Sequence, residues 1–192
     1  MTPNDNSVNI ESRSYHHGDL RAALIAEGLR LLAERDADAL SLREVARNVG
    51  VSATAVYRHF SDKEALMNAL AQEGLERLAA AQHGAADAAG GGEDGFVATG
   101  RAYVRFALAN PALFRLIYTT PRLTPWSAPP GQESEAMAFL RANAAASVGR
   151  EGGSPEAMVR AVHAWSLVHG LAMLMLDGQI PVDERLIEDV IC

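Results

Sequence analysis

Between Ser41 and Glu64 the sequence contains three signals for the start of a helix, the pattern that most restricts how this chain can fold. "SLRE" from Ser41 and "SDKE" from Ser61 each place a Glu three residues after a Ser, the arrangement of a capping box. Ser52 is a third capping residue, and Gly50 can take the left-handed conformation that ends the helix before it. Three such starts with a glycine turn between the first two predict a helix-turn-helix.

The rest of the chain is also predicted to be helical, because Ala and Leu dominate and alternating β-branched patterns are rare. The Gly-rich stretch 83–95 and the Pro-rich stretch 119–131 are predicted connections. Asn110 is the predicted cap for a helix whose first turn contains Pro111. The predicted helices span 18–35, 42–49, 53–60, the second capping box to about 82, 95–109, 111–119, 132–148, 155–176 and 183–192.

Composition restricts the class of protein. With 48% hydrophobic and 21% charged residues in 192, the chain has the make-up of a soluble globular protein. The single cysteine fits a reducing cytoplasm, the polar first residues lack a signal-peptide core, and the apolar run 164–176 is too short to span a bilayer. No Gly-rich phosphate loop, paired-cysteine site or activated nucleophile is found, so no enzyme activity, cofactor or metal site is predicted.

The start of the second helix of the motif suits contact with DNA. A helix in the major groove touches base edges through its N-terminal residues. The residues at this position are small and two of them carry hydroxyl groups, which suits contact with bases. Longer side chains that can reach phosphates follow them. From Ser41 to Lys63 there are four Lys or Arg against two Asp or Glu, in a chain of net charge −7. Arg47 shares a helix face with Arg43. The predicted DNA-contacting residues are Arg43, Ser52, Ala53, Thr54, Tyr57, Arg58, His59 and Lys63.

Several of these side chains have a simpler interpretation. Tyr57 alone could be the edge of an amphipathic core, and Arg58 could read bases or merely be solvated. The adjacent His16 and His17 would point apart on a helix, so contact with phosphate is favoured there over metal binding. Arg13 could reach a minor groove or belong to a disordered tail.

Residues 41–66, "SLREVARNVGVSATAVYRHFSDKEAL", resemble the DNA-binding domain of the TetR (tetracycline-repressor) family of bacterial transcription regulators, and the resemblance covers residues 18–70. It implies that Ser52 and Thr54 lie at the DNA and that Tyr57, His59 and Lys63 mainly contact phosphates. The position after Ser52 is often Lys, Arg or Pro in the family and is Ala53 here, so the family's base preference does not transfer. The segment 164–180 resembles a C-terminal domain type with a Trp–His–Gly pattern, at Trp165 and His169-Gly170.

The family architecture implies an all-α fold: a flexible tail (1–14), a three-helix helix-turn-helix DNA-binding domain (15–62) and a helical bundle for ligand binding and dimerisation (63–192). Several aromatic and Met residues could line a ligand cavity, but plain core packing is an open alternative for each of them. His163 and His169 are interpreted as core histidines. The predicted cavity residues are Phe106, Phe114, Tyr118, Trp126, Met137, Trp165, His169 and Met173. The helix 155–176 is apolar nearly all round, which favours burial against a second subunit. The predicted dimer contacts are Leu167, Leu171, Leu174, Leu186 and Val190.

The function predicted from these features is a cytoplasmic transcriptional regulator. Its predicted partners are a palindromic operator in double-stranded DNA, a second copy of the chain and a small-molecule effector. A repressor released by the effector is favoured. The alternative is a small-molecule sensor or protein adaptor that keeps the helix-turn-helix as a scaffold and does not bind DNA, which the net charge and Ala53 would suit.

Overall fold

The computed structural model describes residues 20–120, 134–151 and 153–192, and the regular elements in these ranges are all helical. This agrees with the predicted all-α class. A 3-10 turn over Ala37–Ala39 joins the first two α-helices. The α-helices are α1 (Leu20–Glu34), α2 (Leu42–Val49), α3 (Ala53–Tyr57), α4 (Lys63–Ala88), α5 (Gly92–Ala109), α6 (Pro111–Thr119), α7 (Glu135–Ser147), α8 (Pro155–Leu176) and α9 (Glu184–Val190).

The predicted helix-turn-helix forms through its capping residues. The Ser41 hydroxyl accepts the Glu44 amide at 3.2 Å, which satisfies a free N–H in the first turn of α2. Gly50 ends α2 with φ +81°, a backbone conformation that side-chain-bearing residues rarely adopt. The Ser52 hydroxyl accepts the Ala55 amide at 3.2 Å and starts α3. These three predictions are confirmed, although α3 ends at residue 57 and not at 60.

The cap of α4 differs from the prediction. Asp62, and not Ser61, is the N-cap: its Oδ1 accepts the Ala65 amide at 2.8 Å, and the Ser61 hydroxyl donates to Oδ2 at 3.0 Å. A carboxylate is favoured there because the helix N-terminus carries partial positive charge. The bond from the Ala65 amide lowers the pKa of Asp62.

The predicted connection over 83–95 is wrong for most of its length. α4 continues to Ala88 and α5 begins at Gly92, so only residues 89–91 separate them. Alanine is the strongest helix former, and the alanines on both sides of Gly84 outweigh the cost of that one glycine. The break falls where Gly90, Gly91 and Gly92 stand together with φ values of +81°, +74° and +62°.

Asn110 stands between α5 and α6 but does not cap α6 as predicted. Its side-chain amide donates to the Phe106 carbonyl at 3.0 Å, so it satisfies the end of the preceding helix. Pro111 occupies the first position of α6 as predicted, where its missing N–H is harmless.

The described helices pack around two main cores that share α4. The N-terminal core is formed by α1, α2, α3, the first half of α4, and α6. The C-terminal core is formed by α5, α8 and α9, with Leu78 from α4 and Phe114 from α6. Leu66 and Leu70 of α4 are fully buried in the N-terminal core, and Leu78, two to three turns later, is buried in the C-terminal core.

Glycines let α4 approach its neighbours closely. A Cβ added at Gly74 would lie 2.8 Å from Cδ1 of Leu113 and 2.9 Å from Cδ1 of Ile117, both on α6. A Cβ at Gly28 of α1 would lie 2.9 Å from Leu70 of α4. The position of α4 against α1 and α6 therefore depends on the absence of a side chain at these two sites.

α9 is attached to α5 by arginines. Arg101 donates from Nε to the Ile191 carbonyl at 3.0 Å and from Nη2 to the Glu188 carbonyl at 3.2 Å. Arg105 forms an ion pair with Glu184. The two bonds from Arg101 satisfy carbonyls at the C-terminal end of α9, and the ion pair of Arg105 holds its N-terminal end.

α8 is longer than the apolar run that the sequence shows. By length and composition alone the 22 residues of α8 could cross a membrane, but a core helix of a soluble protein can be equally long and apolar. α8 packs against α5 and α7, which accounts for the apolar residues on one of its sides.

Two glycines of α4 should respond differently to the same change. Gly84→Ala should raise the free energy of unfolding by about 0.5–1 kcal/mol, because the new methyl group meets no atom within 4 Å and lowers the entropy of the unfolded chain. Gly74→Ala should gain less or lose stability, because the methyl group must displace Leu113 and Ile117. Urea unfolding of both variants measures the difference, and equal effects would contradict the close packing of α4 on α6.

Candidate nucleic-acid interface and ligand cavity

α3 buries one side and exposes the other. Val56 is fully buried in the N-terminal core, which fixes the orientation of this short helix. Thr54 and Arg58 are exposed, and 49% of Tyr57 is accessible to solvent. Ala53 is exposed at the start of α3, and His59 is exposed two residues beyond its end. Tyr57 is therefore a surface residue, and its interpretation as a core edge does not hold.

Two cations beside α3 are not neutralised. Among the described residues Arg43, on α2, and Arg58 have no hydrogen bond or ion pair, and both are exposed. Arg47 lies 3.6 Å from a carboxylate oxygen of Glu44, which Arg35 also contacts at 2.6 Å. Unpaired guanidinium groups keep their full attraction for anions such as phosphate.

Ser52 and Lys63 already have partners within the chain. The Ser52 oxygen accepts the helix-capping bond, which leaves its hydroxyl hydrogen free to donate. Lys63 is half-buried, and its Nζ donates to the Asp38 carbonyl at 2.7 Å, which ties α4 to the 3-10 turn. An ammonium group has three donors, so a further acceptor can be bound.

A cavity of about 100 Å³ lies in the C-terminal half, between α4, α5, α7 and α8. Three of the predicted cavity residues line it, namely Tyr118, Met137 and Trp165. Phe106, Phe114, His169 and Met173 do not line it, and Trp126 lies outside the described residues. Phe114 is fully buried in the C-terminal core, which is the plain packing role left open for it.

Tyr103 is the centre of a polar network beside the cavity that the sequence reasoning missed. Its hydroxyl lies 2.8 Å from the Tyr118 hydroxyl and 2.9 Å from Nδ1 of His169, and it accepts from Nε1 of Trp165 at 3.3 Å. The spacing of Phe96, Thr99, Tyr103 and Ala107 is the helical signal that could have found it, because these residues form one buried stripe of α5.

Burial governs the charge states in this network. It raises the pKa of the Tyr103 and Tyr118 hydroxyls and lowers the pKa of His169. Both tyrosines are therefore neutral hydrogen-bonding groups at ordinary pH, and the neutral form of the imidazole is favoured.

The predicted dimer residues fall into two groups. Leu167 and Leu174 of α8 are each 46% exposed, whereas Leu171 is buried in the C-terminal core of its own chain. Leu186 and Val190 of α9 are half-buried against that core. Two exposed residues on α8 were not predicted, Val159 at 57% and Val162 at 40%. The exposed apolar side of α8 also includes Gly170, where an added Cβ would meet open space.

Among the residues that the structure describes, no group of three or more His, Cys, Asp or Glu side chains could hold a metal ion. His16 and His17, for which contact with phosphate was favoured over metal, and Arg13 lie outside the described ranges.

The half-buried imidazole of His169 should make stability depend on pH. Because burial lowers the pKa of His169, the unfolded chain binds the proton more tightly than the folded chain does. The stability from the neutral imidazole is present above about pH 6.5 and is lost as the pH falls through the lowered pKa. Urea unfolding at pH 7.5 and 5.5 should show a smaller loss for His169→Gln than for the wild type. His163→Gln, at an exposed position of α8, is the control and should behave like the wild type.

Known proteins with similar chains share this architecture. A solved structure of a protein with unknown function from Rhodococcus sp. RHA1 superposes with a TM-score of 0.71 at 33% identity, over 91% of this chain and 92% of that one. A tetR-family transcriptional regulator from Streptomyces coelicolor has a TM-score of 0.62 over 92% and 79% of the two chains, and its 19% identity shows the fold alone.

Curated relatives match part of this chain. The HTH-type transcriptional regulator Rv1816 of Mycobacterium tuberculosis is 34% identical over 113 residues, which are 58% of this chain and 48% of that protein. The match therefore spans about half the length of that relative. The HTH-type transcriptional repressor Rv1474c of the same organism is 37% identical over 65 residues, 34% of this chain and 35% of that protein.

Two family models match the two halves of the chain. The model described as bacterial regulatory proteins, tetR family, matches residues 24–70, which contain the helix-turn-helix. The model described as tetracyclin repressor-like, C-terminal domain, matches residues 96–191, which contain most of the cavity lining. The chain belongs to the tetR family of bacterial regulatory proteins.

Proposed function

We propose that this protein is a cytoplasmic transcriptional repressor that binds a palindromic operator as a homodimer and is released by a small molecule. The observation that carries the proposal is the exposed side of α3, which presents a hydroxyl, a phenol and an unpaired guanidinium beside a second unpaired cation on α2. This short helix is held by a single fully buried side chain, so its exposed residues are available to a partner.

In this proposal the eight predicted residues divide by chemistry. The small residues at the start of α3, Ser52, Ala53 and Thr54, face base edges. The longer groups contact phosphates and fix the register of the helix, with Arg58 also within reach of bases. The longer groups are Arg43, Tyr57, Arg58, His59 and Lys63.

The continuity of α4 supports release by a ligand. Leu75 and Leu78 of α4 line the cavity, while Leu66 and Leu70 of the same helix are buried in the N-terminal core. A ligand that shifts the cavity end of a rigid helix therefore also displaces the elements that hold α3. A dimer with fixed spacing between its two recognition helices would lose one half-site by such a shift, because half-sites lie about 34–36 Å apart.

The exposed apolar side of α8 supports the homodimer. Val159, Val162, Leu167 and Leu174 lie on this helix without burial in the C-terminal core, and Gly170 lets another backbone approach. We propose that this side packs against its symmetry copy, with Leu186 and Val190 of α9 at the margin. Leu171 supports the interface from beneath.

We also propose the finer division of the chain: a tail over 1–14, a DNA-binding domain over 15–62 and a ligand-binding and dimerisation domain over 63–192. The C-terminal part is of the Trp–His–Gly type, supported by Trp165, His169 and Gly170 lying together on α8. Trp165 and His169 belong to the polar network around Tyr103.

Substitutions on the proposed DNA face should separate base reading from phosphate binding. With an operator selected from a random-sequence library, Arg58→Ala should weaken binding by an amount that varies with operator sequence, about 1–3 kcal/mol on the preferred base. Lys63→Ala should weaken binding to all sequences about equally and lower the salt dependence by about one unit per site. Fluorescence anisotropy over a range of salt concentrations measures both effects.

Arg150→Ala is the matched control, because it removes the same charge from an exposed turn between α7 and α8. It should leave operator affinity and salt slope unchanged. Failure to select any operator from the library, with a folded protein, would support the alternative of a sensor or adaptor that does not bind DNA.

The dimer proposal predicts a change of mass. Leu174→Asp places a charge at the proposed interface and should convert the dimer to the 20.5 kDa monomer at micromolar concentration. Val148→Asp changes another exposed apolar residue, at the end of α7, and should leave the dimer intact. Analytical ultracentrifugation distinguishes the species, and a wild-type monomer at these concentrations would refute the dimer.

A further inference from the structure

The walls of the cavity are mainly apolar and aromatic, and its volume is small. Phe96, Tyr118 and Trp165 supply aromatic surface, while Leu78, Leu140 and Val168 supply aliphatic surface. A volume of about 100 Å³ approaches the roughly 150 Å³ of an engineered apolar cavity that binds benzene. It is well below the about 300 Å³ at which pockets for drug-sized molecules begin. The cavity is therefore suited to a single ring.

The charged side chain that lines the cavity is already neutralised. In the described part of the chain this is Arg160, whose Nη2 donates to Oε1 of Glu93 at 3.0 Å. Its guanidinium also stacks over the ring of Phe96, 5.2 Å from the centroid. A charged ligand would have to leave water without a free counter-charge among these residues, which is costly. The lining therefore favours an uncharged ligand.

The number of hydrogens in the polar network determines which hydroxyl group remains available. The indole N–H of Trp165 donates to the Tyr103 oxygen and also bonds to the Tyr118 hydroxyl. The Tyr103 hydroxyl has one hydrogen of its own, which it can donate either to Tyr118 or to His169. If Nδ1 of His169 accepts that hydrogen, Tyr118 must donate to Tyr103. If Nδ1 carries a hydrogen and donates, Tyr103 must donate to Tyr118.

Both arrangements leave a bonding position on Tyr118. In the first, its oxygen keeps one lone pair beyond the contact with Trp165, and this lone pair can accept from a ligand. In the second, its hydrogen remains available to donate to a ligand. Tyr118 also lines the cavity. A hydroxyl group on the ligand suits both cases, because a hydroxyl group donates and accepts.

We propose that the cavity binds a small uncharged single-ring molecule carrying one hydroxyl group, of the phenol class, with Tyr118 as its hydrogen-bond partner. That this ligand is the effector that releases the protein from DNA rests on the proposed function. Its binding to the cavity does not, because the cavity and the network are properties of the folded chain alone.

Isothermal titration of the full chain with phenol, toluene and benzoate, in the absence of DNA, tests the ligand class. Phenol should bind about 3- to 10-fold more tightly than toluene, the fold-change expected for one neutral hydrogen bond. Benzoate should bind more weakly than either. Equal affinity for phenol and toluene, tighter binding of benzoate, or no binding of any probe would overturn the proposal.

Substitution of Tyr118 tests the position of the ligand. Tyr118→Phe should remove the preference for phenol over toluene and leave toluene affinity within about twofold. Tyr57→Phe removes the same hydroxyl group from the exposed side of α3 and should retain the preference. A preference that survives in a folded Tyr118→Phe protein would overturn the assignment of the partner.

Operator affinity of the wild type and of Tyr118→Phe, each with and without phenol, separates this inference from the proposed function. If the preference for phenol depends on Tyr118 but phenol does not change the operator affinity, the proposed ligand class is supported and the proposed release of DNA by this ligand is refuted. If an operator is bound and no probe binds the free protein, the ligand class fails and DNA binding stands.

Discussion

The structure depends on one helix, α4, being buried in two cores at once. Its first half contributes Leu66 and Leu70 to the N-terminal core, and Leu78 enters the C-terminal core. Interiors are close-packed, so a rigid helix cannot change its tilt in one core without disturbing the other. Gly74 tightens this constraint, because the missing side chain lets Leu113 and Ile117 of α6 pack directly onto the helix backbone. The position of the small exposed helix α3 is thus linked mechanically to the walls of the cavity.

Charge is distributed to suit two different environments. The chain has a net charge of −7, which opposes non-specific attraction to nucleic acid, while Arg43 and Arg58 remain unpaired beside α3. Around the cavity the opposite holds, since Arg160 is paired with Glu93, and burial disfavours the charged forms of the titratable groups that bond to Tyr103 by shifting their pKa values. An exposed cation is stabilised by water, whereas a polar group near a small apolar cavity must be satisfied by its neighbours.

Some errors of sequence interpretation have a common cause. Asp62 replaces Ser61 as a cap, and Gly84 lies inside α4, because several residue types are compatible with two local structures and packing selects one. Trp165 and Tyr118 line the cavity, whereas Phe114 fills the C-terminal core, although all three are aromatic. Aromatic residues line cavities or fill cores according to the direction of their helix face, and that direction is set by the neighbouring helices.

The all-α class follows from the Ala- and Leu-rich composition of the sequence. Local chemistry in the sequence also determined the caps at Ser41 and Ser52 and the left-handed turn at Gly50, because each depends on residues within a single turn of chain. Only the tertiary structure decided that Tyr103 of α5, Tyr118 of α6 and His169 of α8 share one hydrogen-bond network. It alone also decided that Leu171 faces inward while Leu167 and Leu174 face solvent. These outcomes require the relative positions of separate helices, which arise from long-range packing that no local pattern contains.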